Sequence, residues 1–162
     1  MSVEFDCESF FSCANEAALD KLAAALAEHV CANDVIALNG DLGAGKTRFV
    51  QGVARALGIN AEVTSPTFTI HAVYPGALEL NHFDLYRLED ETELEDIGYW
   101  DALEGGGVSF VEWAERIDTS MPDDHMAIHI SVEPDGTRLL HAQAQGPRAQ
   151  HLLGAWQTTV RS

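Results

Sequence analysis

A glycine-rich stretch that ends in lysine and threonine is the part of the sequence best suited to chemistry. Residues 40–47 read Gly-Asp-Leu-Gly-Ala-Gly-Lys-Thr and match the pattern G-x-x-x-x-G-K-[ST] at each fixed position. Glycines let the backbone curl until successive N–H groups point at one anion. The pattern therefore predicts a phosphate-binding loop. In it, Lys46 reaches the β- and γ-phosphates of a nucleotide and Thr47 places its hydroxyl on Mg²⁺.

Two carboxylates lie where they could organise that metal. Glu112 directly follows the apolar residues 108–111, a run typical of a buried parallel strand. An acid in this place is the Walker-B arrangement, which orders Mg²⁺ or the attacking water. The alternative for Glu112 is an acid that complements a helix dipole. Asp84 lies near the end of another predicted strand, where it is either a metal-organising carboxylate or an ordinary turn residue. The metal role is favoured for both.

Residues 63–70, Val-Thr-Ser-Pro-Thr-Phe-Thr-Ile, carry several hydroxyl groups. Pro66 favours an extended Ser65, so the segment is predicted to begin as an ordered loop and to become a strand. The hydroxyl groups have two interpretations of equal weight. They reflect β-propensity alone, or they form a switch loop that faces the γ-phosphate and the metal.

The phosphate loop has the flanking elements that such a loop requires. Apolar residues 35–38 before it predict a buried parallel strand. Residues 48–57 after it carry apolar side chains at helical spacing, and Gly58 is a suitable residue to end that helix. A chance match in a glycine-rich turn would not explain a strand before the loop and a helix after it.

The rest of the chain alternates between strand and helix patterns. The predicted elements are an edge strand in residues 1–12 that includes Val3 and Phe5, a helix capped by Ser12 or Asn15, a strand in 77–88 that forms a hairpin with the preceding strand across Pro75-Gly76, an acidic helix opened by Thr92, strands 126–132 and 137–143 joined by a turn at 133–136, and a helix at 150–160.

These elements together predict an α/β protein of the P-loop NTPase type. We expect three layers, with a mixed central sheet flanked by helices and an antiparallel hairpin near the C-terminus. A chain of 162 residues suits a single domain spanning residues 1–162. No role is assigned to the tail from about residue 147.

Composition narrows the function classes. The chain has 26 Asp plus Glu against 9 Lys plus Arg, a net charge of −17, and its two lysines are Lys21 and Lys46. Such a surface repels nucleic acid, although solubility or a salty cytoplasm explains the acidity more simply. No segment is typical of a membrane span or a signal peptide, so we expect a cytoplasmic protein. Three scattered cysteines do not suggest a zinc site, and the absence of N-K-x-D disfavours a GTPase.

Four motifs agree in order and spacing with one known family. They are residues 40–47, Thr-Ser-Pro-Thr-Phe at 64–68, His-Phe-Asp-Leu-Tyr-Arg at 82–87 and Val-Glu-Trp-Ala-Glu-Arg at 111–116. With them the chain closely resembles the bacterial TsaE (YjeE) family from about residue 12 to about residue 140. The phosphate loop is shared by many proteins, whereas the combination of H-F-D-L-Y-R with E-W is specific.

The resemblance implies a function that spacing cannot show. Members of the family are small P-loop ATPases that bind ATP with Mg²⁺ and hydrolyse it slowly to ADP. They serve the installation of threonylcarbamoyl on the adenosine beside the anticodon of ANN-reading tRNAs, together with the proteins TsaB and TsaD. The tRNA would then be reached indirectly, through the complex.

The resemblance also implies roles for individual residues. Lys46, Asp84 and Glu112 would be catalytic, and Thr47 and Glu112 would ligate Mg²⁺. The nucleotide-binding residues would be Glu16 and Gly136 beside the adenine, Thr64 and Ser65 in a switch-like loop, and Asp41, Leu42, Gly43, Ala44, Gly45, Lys46 and Thr47 around the phosphates.

Two other functions remain as alternatives. A small-molecule kinase on a P-loop scaffold would need an arginine-rich lid, and the core segments contain just Arg48, Arg55, Arg87 and Arg116. A nucleotide-binding structural subunit without turnover would carry the same loop. Assays for phosphorylated metabolites and for ATP turnover separate these functions.

Overall fold

The computed structural model of the chain describes residues 7–41 and 43–161. The predicted positions Val3, Phe5 and Leu42 lie outside these residues. The strands are β1 (Cys7–Cys13), β2 (Val35–Gly40), β3 (His71–Tyr74), β4 (Leu80–Asp84), β5 (Val108–Glu112), β6 (His125–Val132) and β7 (Arg138–Gln145). The helices are α1 (Glu16–Ala27), α2 (Lys46–Ala56), α3 (Glu91–Asp96), α4 (Tyr99–Leu103) and α5 (Pro147–Arg161), with a 3₁₀ turn at Ala114–Arg116.

The strands of the described residues form one seven-stranded sheet in the order β1-β7-β6-β2-β5-β4-β3. β2 is central and pairs in parallel with β5 and β6, and β5 pairs in parallel with β4. The outer pairs β1–β7, β6–β7 and β3–β4 are antiparallel. The predicted mixed sheet and the C-terminal hairpin are therefore confirmed. The predicted edge strand is confirmed for residues 7–12, and its earlier residues lie outside the described part of the chain.

Alternate residues of β2 belong to different cores, as expected for a strand covered on both faces. Ile36 and Leu38 pack with apolar residues of α1, α2 and α5. Val35 and Ala37 belong to the other cluster, which includes Leu94 of α3 and apolar residues of α4. Each side of the sheet thus has its own layer of helices. This arrangement confirms the predicted three-layer architecture.

The ends of the helices beside the phosphate loop follow from local chemistry. The side chain of Asn15 accepts a hydrogen bond of 2.9 Å from Ala18 N, so Asn15 rather than Ser12 caps α1. Gly58, at φ +80°, ends the helix that follows the loop, as predicted.

The strand predicted within residues 63–70 is wrong. Residues 61–70 contain no strand, and regular pairing starts at His71. Ile70 N donates to Pro66 O at 2.6 Å, which folds the segment into a turn, and Ile70 itself has φ +68°. Strand β4 is also shorter than the strand predicted at 77–88, because its pairing runs from Leu80 to Asp84. The hairpin itself is confirmed.

The single acidic helix predicted from Thr92 is also wrong. Asp90 is the cap, because its carboxylate accepts hydrogen bonds from Thr92 N at 3.0 Å and Glu93 N at 3.3 Å. The structure describes all of residues 91–103, and this segment contains two separate helices, α3 and α4. Gly98 lies between them at φ +68°, a left-handed conformation that a continuous helix does not contain.

The C-terminal helix is longer than predicted and belongs to the core. It begins at Pro147 and carries Trp156, whose side chain is fully buried. The Trp156 indole donates to Leu22 O at 3.0 Å, and its ring centroid lies 4.4 Å from that of Phe11. α5 therefore ties α1 to β1. No helix in residues 7–41 or 43–161 has the length and apolar character needed to cross a membrane.

We expect Trp156→Ala to lower the free energy of unfolding by about 3–5 kcal/mol, because it empties a core site and removes the hydrogen bond from the indole to the Leu22 carbonyl. His151→Ala, an exposed change on the same helix, should stay within about 0.5 kcal/mol of wild type. Urea denaturation followed by circular dichroism measures both. Equal stability of the two variants would show that α5 is dispensable for the core.

Candidate functional site

A cavity of about 680 Å³ opens at the edge of the sheet where β2, β4 and β5 end. Because these strands are parallel, their last residues meet at one place. Leu38 lies opposite Glu112, and Glu112 lies opposite Asp84. The residues lining the cavity come from the phosphate loop, from these strand ends and from three loops or helices around them: Glu16, Gly43, Gly45, Lys46, Thr47, Arg48, Ser65, Thr67, Asp84, Tyr86, Glu112, Trp113 and Arg138.

The backbone of the phosphate loop needs glycine at two points. Gly40 has φ +144°, and a Cβ there would lie 2.4 Å from the carbonyl oxygen of Ile130 on the neighbouring strand. Gly45 has φ +113° and is the N-cap of α2. Because glycine has no side chain, the first N–H groups of the helix have no side-chain cap. The loop therefore presents main-chain donors at the positive end of a helix, an arrangement suited to an anion. Asp41 is exposed and is not among the lining residues.

Lys46 is buried within the loop that carries it, with 5% of its surface exposed. Its Nζ donates to Gly40 O at 2.7 Å and lies 3.8 Å from the centroid of the Trp113 ring. The ammonium group thus has a carbonyl on one side and an aromatic face on another, both of which favour a cation. It lies at the cavity, as the sequence predicted.

Glu112 is the centre of the hydrogen bonding at the site. The residue is 3% exposed, and its carboxylate accepts from Thr47 Oγ1 at 3.1 Å. Its second partner is His82, whose Nε2 lies 2.5 Å from Glu112 Oε2. The structure therefore brings together the two residues predicted to ligate Mg²⁺. It adds a histidine that the sequence reasoning did not select.

Asp84 holds the hydroxyl-rich segment against the cavity. Its Oδ2 accepts from Ser65 Oγ at 3.3 Å and from Thr67 Oγ1 at 3.1 Å, and its Oδ1 accepts from Tyr86 N at 3.0 Å. The hydroxyl groups thus belong to a loop that faces the site, and not to a strand. Thr64 is exposed and is not a lining residue, and its backbone N–H donates to Tyr74 Oη at 3.4 Å.

Arg48, Arg138 and Glu16 also line the cavity, and Asp20 binds one of these arginines. Arg48 donates twice to Asp20, at 3.0 and 2.8 Å, and lies 2.9 Å from Glu16. Hydrogen bonding to Asp20 raises the pKa of the Arg48 guanidinium above its ordinary value. Arg138 Nε donates to Ala44 O at 3.0 Å, and Arg138 Nη2 lies 3.8 Å from Glu16.

Glu16 therefore lies at the cavity, whereas the other residue predicted beside the adenine does not. Gly136 occupies the turn between β6 and β7 at φ +90° and is not among the lining residues. The side chain that reaches the site from this hairpin is Arg138, the first residue of β7.

Sequence reasoning missed several side chains of the site for different reasons. Arg138 is 94 positions from Ala44, and no local motif contains it. Trp113 directly follows Glu112, and its φ of +59° cannot be read from a sequence. His82 and Tyr86 stand in the recognised segment 82–87, so that motif was the available signal for both.

Comparison with known proteins gives a consistent result. The family model described as threonylcarbamoyl adenosine biosynthesis protein TsaE matches residues 13–140. Two curated relatives carry the name tRNA threonylcarbamoyladenosine biosynthesis protein TsaE. The one from Treponema pallidum (strain Nichols) is 47% identical over 104 residues, which is 64% of this chain and 77% of the relative. The one from Bacillus subtilis (strain 168) is 45% identical over 136 residues, 83% of each chain.

A solved structure shares the fold. The crystal structure of YdiB from Bacillus subtilis superposes with a TM-score of 0.84 at 32% sequence identity. The match covers 97% of this chain and 98% of that one. The similarity thus extends beyond the family-model region and includes the length of chain that forms α5.

We expect Gly40→Ala to lower the free energy of unfolding by about 1–3 kcal/mol, because an alanine there is strained and its Cβ meets the Ile130 carbonyl. Gly154→Ala is the matched control, since a Cβ at this exposed helical position meets nothing within 4 Å. That change should raise stability by about 0.5–1 kcal/mol. Chemical denaturation measures both, and a neutral Gly40→Ala would contradict the described loop geometry.

Proposed function

The chain belongs to the TsaE family of tRNA threonylcarbamoyladenosine biosynthesis proteins, and we propose that it binds ATP with Mg²⁺ at the described cavity and hydrolyses the ATP slowly. In this proposal the protein acts with TsaB and TsaD as the ATPase subunit of a cytoplasmic tRNA-modifying system. It reaches the tRNA through that complex.

One observation carries the nucleotide part of the proposal. The loop that begins at Gly40 runs into the N-terminus of α2, and the hydroxyl at that N-terminus, Thr47, donates to the acid at the end of the adjacent strand. Main-chain donors and Lys46 suit the phosphates of a nucleotide. The volume of about 680 Å³ lies within the range of small-ligand and cofactor sites.

The donor set is suited to Mg²⁺. Hard divalent cations prefer oxygen ligands, and Mg²⁺ is typically held by one or two carboxylates and hydroxyls together with substrate phosphates. Thr47 Oγ1 and the Glu112 carboxylate, 3.1 Å apart, provide such oxygens at the phosphate loop. We assign them as the protein ligands. Bound there, Mg²⁺ would neutralise charge on the phosphate oxygens.

The chain's own residues account for the remaining work of hydrolysis. Water attacks the γ-phosphorus, and the bond from that phosphorus to the β–γ bridging oxygen breaks to give ADP and phosphate. Lys46 and the loop N–H groups stabilise the negative charge on the phosphoryl oxygens. Asp84 holds Ser65 and Thr67 at the cavity wall, where their hydroxyl groups would be available to the phosphate.

The assembly part of the proposal is supported by family membership. The net charge of −17 agrees with it, because a chain this acidic is poorly suited to hold a tRNA through its own side chains. Protein partners would supply the RNA contacts.

The proposal is tested by ATP turnover of the purified protein with Mg²⁺, alone and with TsaB and TsaD. We expect Lys46→Ala to weaken ATP binding by about tenfold or more, since it removes a charged donor to the phosphates, and to abolish turnover. Lys21→Ala removes the one other lysine, which is exposed on α1, and should leave both unchanged. Calorimetry gives the affinities. Wild-type ATP affinity in folded Lys46→Ala would refute the assigned phosphate site.

Glu112→Gln should separate binding from turnover. The amide keeps the size of the side chain but loses the charge, so ATP affinity without Mg²⁺ should remain while Mg²⁺-dependent turnover falls about tenfold or more. Glu115→Gln neutralises an exposed acid three positions away and should match wild type. Phosphate release at several Mg²⁺ concentrations distinguishes the variants. Turnover at the wild-type rate in Glu112→Gln would remove Glu112 from the mechanism.

A further inference from the structure

A histidine that the proposed mechanism does not use lies beneath the cavity. His82 is fully buried in β4, on the same side of the sheet as Asp84 two residues later. Its Nε2 is hydrogen-bonded to Glu112 Oε2. Among the residues that the structure describes, none provides a hydrogen-bond partner for His82 Nδ1.

This one-sided contact bears on which ring nitrogen of His82 carries the proton. With Nε2 carrying the proton, the ring donates to the carboxylate and leaves an unpaired acceptor at Nδ1. With Nδ1 carrying the only proton, the ring would turn a lone pair toward the carboxylate and bury an unpaired N–H donor. The geometry therefore favours a proton on Nε2 that is donated to the Glu112 carboxylate.

We propose that His82 is a positioning residue that orients the Glu112 carboxylate for Mg²⁺. The inference rests on the proposed function of this site. Glu112 accepts from Thr47 on one side and from His82 on the other, so the carboxylate is held between the helix of the phosphate loop and the neighbouring strand. Partners that hydrogen-bond a metal ligand fix its orientation, and their loss typically costs about 10–100-fold in metal affinity or activity.

The fold explains why the carboxylate needs this support. Glu112 is the last residue of β5, and the next residue, Trp113, turns away from the strand with a φ of +59°. A long side chain at a strand end has several rotamers available. The His82 donor, rigidly placed by a buried strand, selects one of them at no further entropic cost on binding.

Two amide substitutions distinguish positioning from mere burial. Gln at position 82 can place its amide nitrogen near the site of Nε2, whereas Asn is one methylene shorter and places its amide nitrogen near the site of Nδ1. Both are uncharged, polar and smaller than histidine. If His82 only fills space, both substitutions should impair the site. If His82 acts as a hydrogen-bond donor to Glu112, His82→Gln should restore that donor and His82→Asn should not.

The first measurement uses calorimetry to follow the binding of a non-hydrolysable ATP analogue. It determines the Mg²⁺ concentration at which the effect of Mg²⁺ on this binding is half-saturated. We expect His82→Asn to need about 10–100-fold more Mg²⁺ than wild type. His82→Gln should lie close to wild type, and analogue affinity without Mg²⁺ should be the same in all three. His71→Gln is the control, because His71 of β3 stacks on Phe83 and bonds Asn81 without touching Glu112.

The second measurement needs no nucleotide or metal. Ring ¹⁵N NMR of the protein alone should show His82 as the Nε2–H tautomer, with a shift in its ring nitrogens on Glu112→Gln. The Nδ1–H tautomer, or equal Mg²⁺ requirements for His82→Asn and His82→Gln, would overturn the inference. Failure of the wild-type protein to bind the analogue with Mg²⁺ would instead refute the proposed function, and the NMR result would still decide the His82–Glu112 contact.

Discussion

The structure depends on one buried carboxylate. Placing a glutamate side chain where the residue is 3% exposed is unfavourable unless hydrogen bonds replace the lost water. The described part of the chain supplies donors from α2, through Thr47, and from β4, through His82. Because these donors belong to different elements, the need to satisfy Glu112 also fixes the phosphate-loop helix against the strand beside it. Stability and site geometry are therefore set by the same contacts.

Strand register is the second constraint, because it decides which side chains meet at the edge of the sheet. Leu38, Glu112 and Asp84 lie in one row across β2, β5 and β4, so the loop and both acids meet at a single edge. Side chains alternate between the faces of a strand, and a shift of one residue would turn Glu112 toward the α3–α4 layer. Buried apolar residues on both faces of β5 oppose that shift. The long-range packing of the sheet thus determines local chemistry at its edge.

The parts of the fold that could be predicted are those whose structure is determined by one short, continuous segment of sequence. The strand at 35–40, its loop and the following helix are encoded within about twenty residues. Glu112 follows from an apolar run that ends in an acid, and Asp84 from its place near the end of a predicted strand. The errors have local causes that a periodicity argument overlooks. Residues 63–70 have β-propensity, yet their hydroxyl groups bond to Asp84 and the Pro66 carbonyl closes a turn. The acidic segment keeps its buried leucines but breaks at Gly98. Arg138 reaches the site and donates to the carbonyl of Ala44, which lies 94 positions away in the sequence. A single sequence does not reveal such a contact.

The distribution of positive charge links the acidity of the chain to its proposed ligand. Lys46, Arg48 and Arg138 all line the cavity, although the whole chain has 9 Lys plus Arg. Each already has an acceptor, and for Lys46 and Arg138 that acceptor is a carbonyl of the loop region itself, Gly40 O and Ala44 O. These two cations therefore brace the loop through its own carbonyls, beside the N–H groups at the N-terminus of α2. A phosphate that binds Lys46 must compete with the Gly40 carbonyl, so the net gain is the difference between two charge-assisted hydrogen bonds. Binding then favours a ligand that engages several loop donors at once, as a polyphosphate does, over a single small anion.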